Sequence, residues 1–122
     1  MNSGSGILSG RRVLLVEDEA LISLMLEDVL ESAGAVVVGP ASTAKAALDL
    51  LGQEAIDCAV LDVKLGDGVS VPVAEALAAL GIRFVIATAS DTVPAGYNGA
   101  PVLHKVFLPD EVIDAVTDVL RS

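Results

Sequence analysis

Three acids in a row, Glu17, Asp18 and Glu19, follow the apolar run Arg12–Val16. A fourth acid, Asp62, closes the run Ile56–Leu61. Thr88 follows Arg83–Ala87, and Lys105 follows Pro101–His104. If these runs are neighbouring parallel strands, four distant segments bring carboxylates, a hydroxyl and an ammonium to one rim, where open parallel sheets bind ligands. That set suits a metal and phosphoryl site. Two carboxylates about 5 Å apart repel by roughly 3 kcal/mol at an effective dielectric near 20, so three together need a cation. Oxygen donors without His or Cys favour Mg2+, with Mn2+ as the alternative, over zinc. Asp62 ends the central run and is the candidate nucleophile, since a carboxylate can carry a covalent phosphoryl group. Lys105 can pair with phosphoryl charge, and Thr88 can donate a hydrogen bond to its oxygen. Catalysis would be positioning plus charge neutralisation.

Each residue alone has an ordinary explanation. Glu17, Asp18 and Glu19 suit the start of a helix, where the dipole favours acids. Asp62 can cap a turn, Thr88 can be a plain strand-end hydroxyl, and Lys105 can be solvated. Their joint placement at four relevant strand ends carries the functional reading.

The elements that must do this positioning alternate along the chain. Arg12–Val16 reads as a buried strand. Ala20–Ala33 has helical spacing, with Leu21, Ile22, Met25 and Val29 as its apolar stripe and Gly34 after it. Ala35–Val38 is a second strand, closed by Gly39-Pro40. Ser42 can cap a helix from Thr43 to about Gly52, with Ala44, Ala47, Leu48 and Leu51 inward. Ile56–Leu61 is a third strand, and Gly66-Asp67-Gly68 a turn. Ser70 can cap a helix over Val71–Leu80, with Pro72 in its tolerant first turn. Arg83–Ala87 and Pro101–His104 are strands four and five. Pro109 opens a last helix, with Asp110 and Glu111 at its positive end.

Strands alternating with helices predict a parallel sheet covered on both faces. The expected fold is α/β, a flavodoxin-like (βα)5 three-layer sandwich with strand order 2-1-3-4-5. The fourth helix is the exception: Ala89–Ala100 has no 3.6-residue period, so a loop or short distorted helix is expected there. Residues 1–10, rich in Gly and Ser, read as a flexible lead to a single domain over 11–122.

Composition removes other classes. Of 122 residues 53% are apolar, too many for disorder, and only Phe84, Tyr97 and Phe107 are aromatic, so the core is aliphatic. No apolar run is long enough for a membrane helix, and the first ten residues lack a signal-peptide core. One cysteine, Cys58, excludes an internal disulfide and reads as a small core residue. Cytoplasmic location is expected. The net charge of −10 repels phosphate backbones, so no nucleic acid is expected; it suits solubility and a cationic or basic partner.

With those residues placed, the chain resembles the receiver domains of two-component response regulators over Arg12–Arg121. The matching stretches are VLLVEDE at Val13–Glu19, VLDVKLGDG at Val60–Gly68, IATAS at Ile86–Ser90 and HKVF at His104–Phe107. The resemblance implies that Asp62 accepts a phosphoryl group from a histidine kinase or histidine phosphotransfer protein. It implies that Glu17, Asp18, Asp62 and the backbone carbonyl of Lys64 hold Mg2+, and that Thr88 and Lys105 contact the phosphoryl oxygens. The Lys64 side chain lies where the family tunes phosphoryl lifetime, with a solvated lysine as the other reading. The expected protein is a signalling phosphoacceptor rather than a turnover enzyme. It would act as a single-domain switch on a downstream protein target or as a phosphate sink, as a monomer or weak dimer.

The sequence departs from the family in three places. Val106 stands where a cis proline usually follows the lysine, so a trans Lys105–Val106 bond is expected. Val102 stands where the fifth strand usually carries a switch aromatic; Tyr97 is read as a partly exposed anchor, or else as its substitute. The short link after Thr88 resembles the FAT GUY receivers, although Ala89-Ser90 replaces their Gly-aromatic pair. His104 reads as structural or solvent-facing. Two other classes stay open. A small Mg-dependent aspartate-based phosphatase would want an acid at position 64, where Lys stands. A non-phosphorylated pseudo-receiver binding module would not need the complete site set.

Overall fold

The computed structural model describes residues 6–89, 92–105 and 107–121. The elements run β1 (Arg12–Val16), α1 (Ala20–Ser32), β2 (Val36–Ala41), α2 (Ala44–Gln53), β3 (Cys58–Leu61), β4 (Lys64–Leu65) and β5 (Gly68–Val69). There follow α3 (Val71–Ala79), β6 (Arg83–Thr88), β7 (Val102–His104) and α4 (Pro109–Arg121). The main sheet has the order β2-β1-β3-β6-β7, all parallel. This is the expected 2-1-3-4-5 once the small antiparallel pair β4-β5 is set aside.

Alternation along each central strand supplies both cores. Val13, Leu15, Cys58, Val60, Val85 and Ala87 face one layer, where Leu26 and Leu30 of α1 meet Val112 and Val116 of α4. Leu14, Val16, Ala59, Leu61, Phe84 and Ile86 face the other, against Ala44 and Ala47 of α2 and Val73 and Leu77 of α3. Strands buried on both faces therefore read as unbroken apolar runs.

Among the described residues, the second layer has no helix over β7. Among the described residues of the 89–101 link none is helical, so Val93, Tyr97 and Ala100 pack there instead. Gly96 and Gly99 have positive φ, as does Asn98 at 56°, backbone a continuous helix does not adopt. Val102 stays 37% exposed for want of a covering helix.

Several local expectations are corrected. β2 does not close at Gly39-Pro40 but runs on to Ala41, with a register irregularity between Leu14 and Val16. Gly39 permits this: its φ is +100°, and a Cβ there would lie 2.9 Å from Ala41 N and from Leu15 O. Thr43, not Ser42, caps α2, its hydroxyl accepting from Ala46 N at 3.1 Å. Leu48 is exposed, and Leu50 packs inward in its place. Leu21 is 81% exposed; the buried seam of α1 is Ser23, Leu26 and Leu30. Ser70 sits at the N-cap of α3 without a side-chain cap bond. The expected lead is described from Gly6. There Leu8 is buried, and its N–H donates to Ala33 O at 2.9 Å, so this part is docked rather than loose. Cys58 is fully buried, and burial pushes its thiol up to about 12.

Candidate functional site

The carboxyl ends of β1, β3, β6 and β7 meet as the strand order requires. Asp62 N–H donates to Val16 O at 2.9 Å, tying the end of β3 to β1. Lys105 N–H donates to Thr88 O at 2.8 Å, tying the residue after β7 to the end of β6. Glu17 N–H donates to Ala41 O at 2.9 Å, anchoring the acidic run to β2. The backbone thus aims four segments at one place.

The side chains converge there. Glu17, Asp62 and Thr88 are buried, and Asp18 is exposed at the mouth. One carboxylate oxygen from each of Glu17, Asp18 and Asp62 lies within 4.8 Å of the other two. Lys105 Nζ reaches Glu19 Oε1 at 2.8 Å, Glu17 Oε1 at 3.0 Å and Asp62 Oδ2 at 3.3 Å. Asp62 Oδ1 accepts from Val63 N at 2.8 Å, which fixes the carboxylate plane.

Crowding perturbs the charges. Burial first, and then the Asp62 carboxyl beside it, lift Glu17 from about 4.5 to about 7. Burial pulls the Lys105 ammonium down, but its bonds to Glu19 and Glu17 and the charge of Asp62 outweigh this, holding it protonated above the ordinary lysine range.

The donor set fits a divalent cation. Glu17 Oε1 is buried with no hydrogen bond of its own, leaving only the ion pair to Lys105. The triad is all oxygen, as Mg2+ prefers. Lys64 opens β4, exposed, two residues beyond Asp62. His104 faces solvent, as expected. The Lys105–Val106 bond lies outside the described residues.

Glu19, expected only as an acid at a helix start, makes the shortest contact to Lys105. Tyr97, expected to be a partly exposed anchor, is instead buried at 3% exposure, its hydroxyl 2.9 Å from Ser70 Oγ. A lone tyrosine between glycines carries no signal of its partner. A separate cavity of about 430 Å3, lined by Arg83, Phe84, Tyr97 and Pro101, sits toward the start of β6, away from this chemistry.

A doubly wound sheet of this order, with an acidic triad of buried Glu17 and Asp62 and exposed Asp18 and a paired lysine at its carboxyl rim, defines a flavodoxin-like fold with a candidate cation site. The family model for the response regulator receiver domain matches residues 13–117, and the chain belongs to that family. Among solved structures it is similar to SdrG from Sphingomonas melonis Fr1, at 44% identity and a TM-score of 0.81, over 93% of this chain and 98% of that one. It is also similar to the BeF3-activated conformation of SdrG from Pseudomonas melonis Fr1, at 43% identity and a TM-score of 0.77, over 92% and 98%. The response regulator PhyR from Brucella abortus matches at 30% identity and a TM-score of 0.80, over 94% of this chain and 50% of that one. No curated protein matches. Receiver domains bind Mg2+ at an acidic pocket, and Glu17, Asp18 and Asp62 form one here. Among the described residues no helix is long and apolar enough to cross a membrane.

Proposed function

We propose that this receiver domain, residues 11–122, is a phosphoacceptor whose Asp62 takes a phosphoryl group from a histidine kinase or histidine phosphotransfer protein. The observation that carries this is a nucleophile-capable carboxylate, Asp62, buried beside Glu17 and Asp18 and 3.3 Å from the Lys105 ammonium. An Asp62 oxygen attacks phosphorus, forming an O–P bond. The donor's P–N bond breaks, and its imidazole nitrogen leaves with the electron pair. Glu17, Asp18, Asp62 and the Lys64 carbonyl would hold Mg2+, which would supply charge neutralisation for the anionic phosphoryl oxygens. Val63 N–H orients Asp62 for attack. Lys105 and Thr88 pair with the phosphoryl oxygens and report their presence through β7 and the 89–101 link.

The output is a conformational bias read by a downstream protein, in the cytoplasm, by a monomer or weak dimer. The likeness to SdrG and to the receiver-sized half of PhyR supports a signalling role over turnover chemistry. Intact-mass measurement after acetyl phosphate and Mg2+ tests the reading. Wild type gains one phosphoryl group and Asp62→Asn gains none. An unlabelled wild type overturns the proposal.

A further inference from the structure

We propose that Glu19 is the resting anchor of Lys105, holding its ammonium until a phosphoryl group on Asp62 competes it away. This rests on the phosphoacceptor reading and adds a positioning residue that lies outside the metal triad.

The geometry singles Glu19 out. Of the three carboxylates around Lys105, Glu19 makes the shortest contact, 2.8 Å against 3.0 and 3.3 Å. Glu17 and Asp62 belong to the triad that can hold a cation, and Glu19 does not. Its grip on the ammonium is therefore the one that metal loading leaves in place.

Glu19 also forgoes the work its position offers. It occupies the N-cap of α1, where an acid ordinarily accepts from the next turn, yet its side chain makes no cap bond. The carboxylate reaches back over the rim instead. Its backbone is fixed on both sides: Glu19 N–H donates to Glu17 Oε2 at 3.1 Å, and Glu19 O accepts from Ser23 N at 2.9 Å. The side chain thus springs from a defined point with Lys105 at the end of its reach.

The exposures suit a reversible hold. The Lys105 side chain is 7% exposed and that of Glu19 is 59% exposed. Water and salt weaken such a bond, so it breaks at little cost. An ammonium has three donors, and here three carboxylates surround it. Contact with a phosphoryl oxygen takes a donor from one of them. Glu19, outermost and free of the metal, is the partner that yields. Glu19 thereby sets how strongly a phosphoryl group must pull to move Lys105.

Beryllofluoride titrations in saturating Mg2+, followed by amide NMR, test this on wild type, Glu19→Gln, Glu19→Asp, Lys105→Ala and the Glu19→Gln/Lys105→Ala pair. Glu19→Gln tightens beryllofluoride binding about threefold to fivefold, the scale of a partly exposed ion pair. Glu19→Asp keeps the charge but loses a methylene of reach, and it moves in the same direction. With Lys105→Ala already present, Glu19→Gln changes affinity by less than about twofold. In the metal-free protein, Glu19→Gln and Glu19→Asp both shift the Lys105 side-chain ammonium resonance. An equal gain with and without Lys105 means simple charge repulsion and overturns the proposal. So does an unmoved ammonium signal, or unchanged affinity in Glu19→Gln while wild type binds. A wild type that binds no beryllofluoride and takes no label from acetyl phosphate removes the phosphoacceptor reading, and this proposal with it.

Discussion

Glu17 is the residue on which the charge balance of the rim turns. Its carboxyl titrates near 7 in the fold and near 4.5 when unperturbed, so the folded protein binds that proton more tightly than the unfolded chain does. Its contribution to stability is full below about 4.5 and is lost as pH rises through about 7. Metal-free protein therefore loses stability across that window, and Glu17→Gln flattens the loss; denaturant unfolding at stepped pH in a chelator measures both. A cation needs the ionised form, so Mg2+ affinity climbs over the same window. The types and strand-end positions of Glu17, Asp18, Asp62, Thr88 and Lys105 were legible in the sequence, because backbone register alone delivers them. The bond from Lys105 to Glu19 was not, because it depends on where two flexible side chains end.

At the scale of elements, two side chains hold loops that the helices leave loose. Asp67, in the β4-β5 turn, accepts from Ala44 N at 2.8 Å and from Lys45 N at 3.2 Å, capping α2 from across the rim. Those bonds hold its carboxyl below the usual carboxylate range. The stability they give is present above that range and lost as pH falls through the lowered pKa. Asp67→Ala lowers the melting temperature at neutral pH, and Asp67→Asn lowers it less. Tyr97 ties the 89–101 link to Ser70, which is itself held by Ser70 N–H to Val63 O at 2.8 Å, beside Asp62. Tyr97→Phe strands a buried hydroxyl and costs about 1–2 kcal/mol in urea unfolding; adding Ser70→Ala recovers part of it. The strands were legible because each is buried on both faces and so reads as an apolar run. The end of β2 was not, since Gly39 and Pro40 mark a turn by type and only the packing against Leu15 shows the strand continuing. The stripe of α1 was not legible at Leu21, because Ala20–Leu26 is apolar except at Ser23 and so does not declare which side faces the sheet.

Over the whole molecule, a net charge of −10 on 122 residues sets a strongly negative field. Self-repulsion weakens the compact state, so raising ionic strength raises the melting temperature of metal-free protein, and Mg2+ raises it further than an equal ionic strength of NaCl. Equal effects of the two salts, read by calorimetry, would contradict a specific cation site. The fold could be read in outline because parallel crossovers are nearly always right-handed, and the link over β7 was legible as the exception because it lacks a helical period; its described residues form no helix. That link contains the chain's sole tyrosine, and there is no tryptophan. Ultraviolet emission from the intact protein therefore has one dominant source, seated beside Ser70. Any rearrangement that draws the phenol into water should register as a change in its yield or quenching, giving the domain an intrinsic optical reporter that needs no dye.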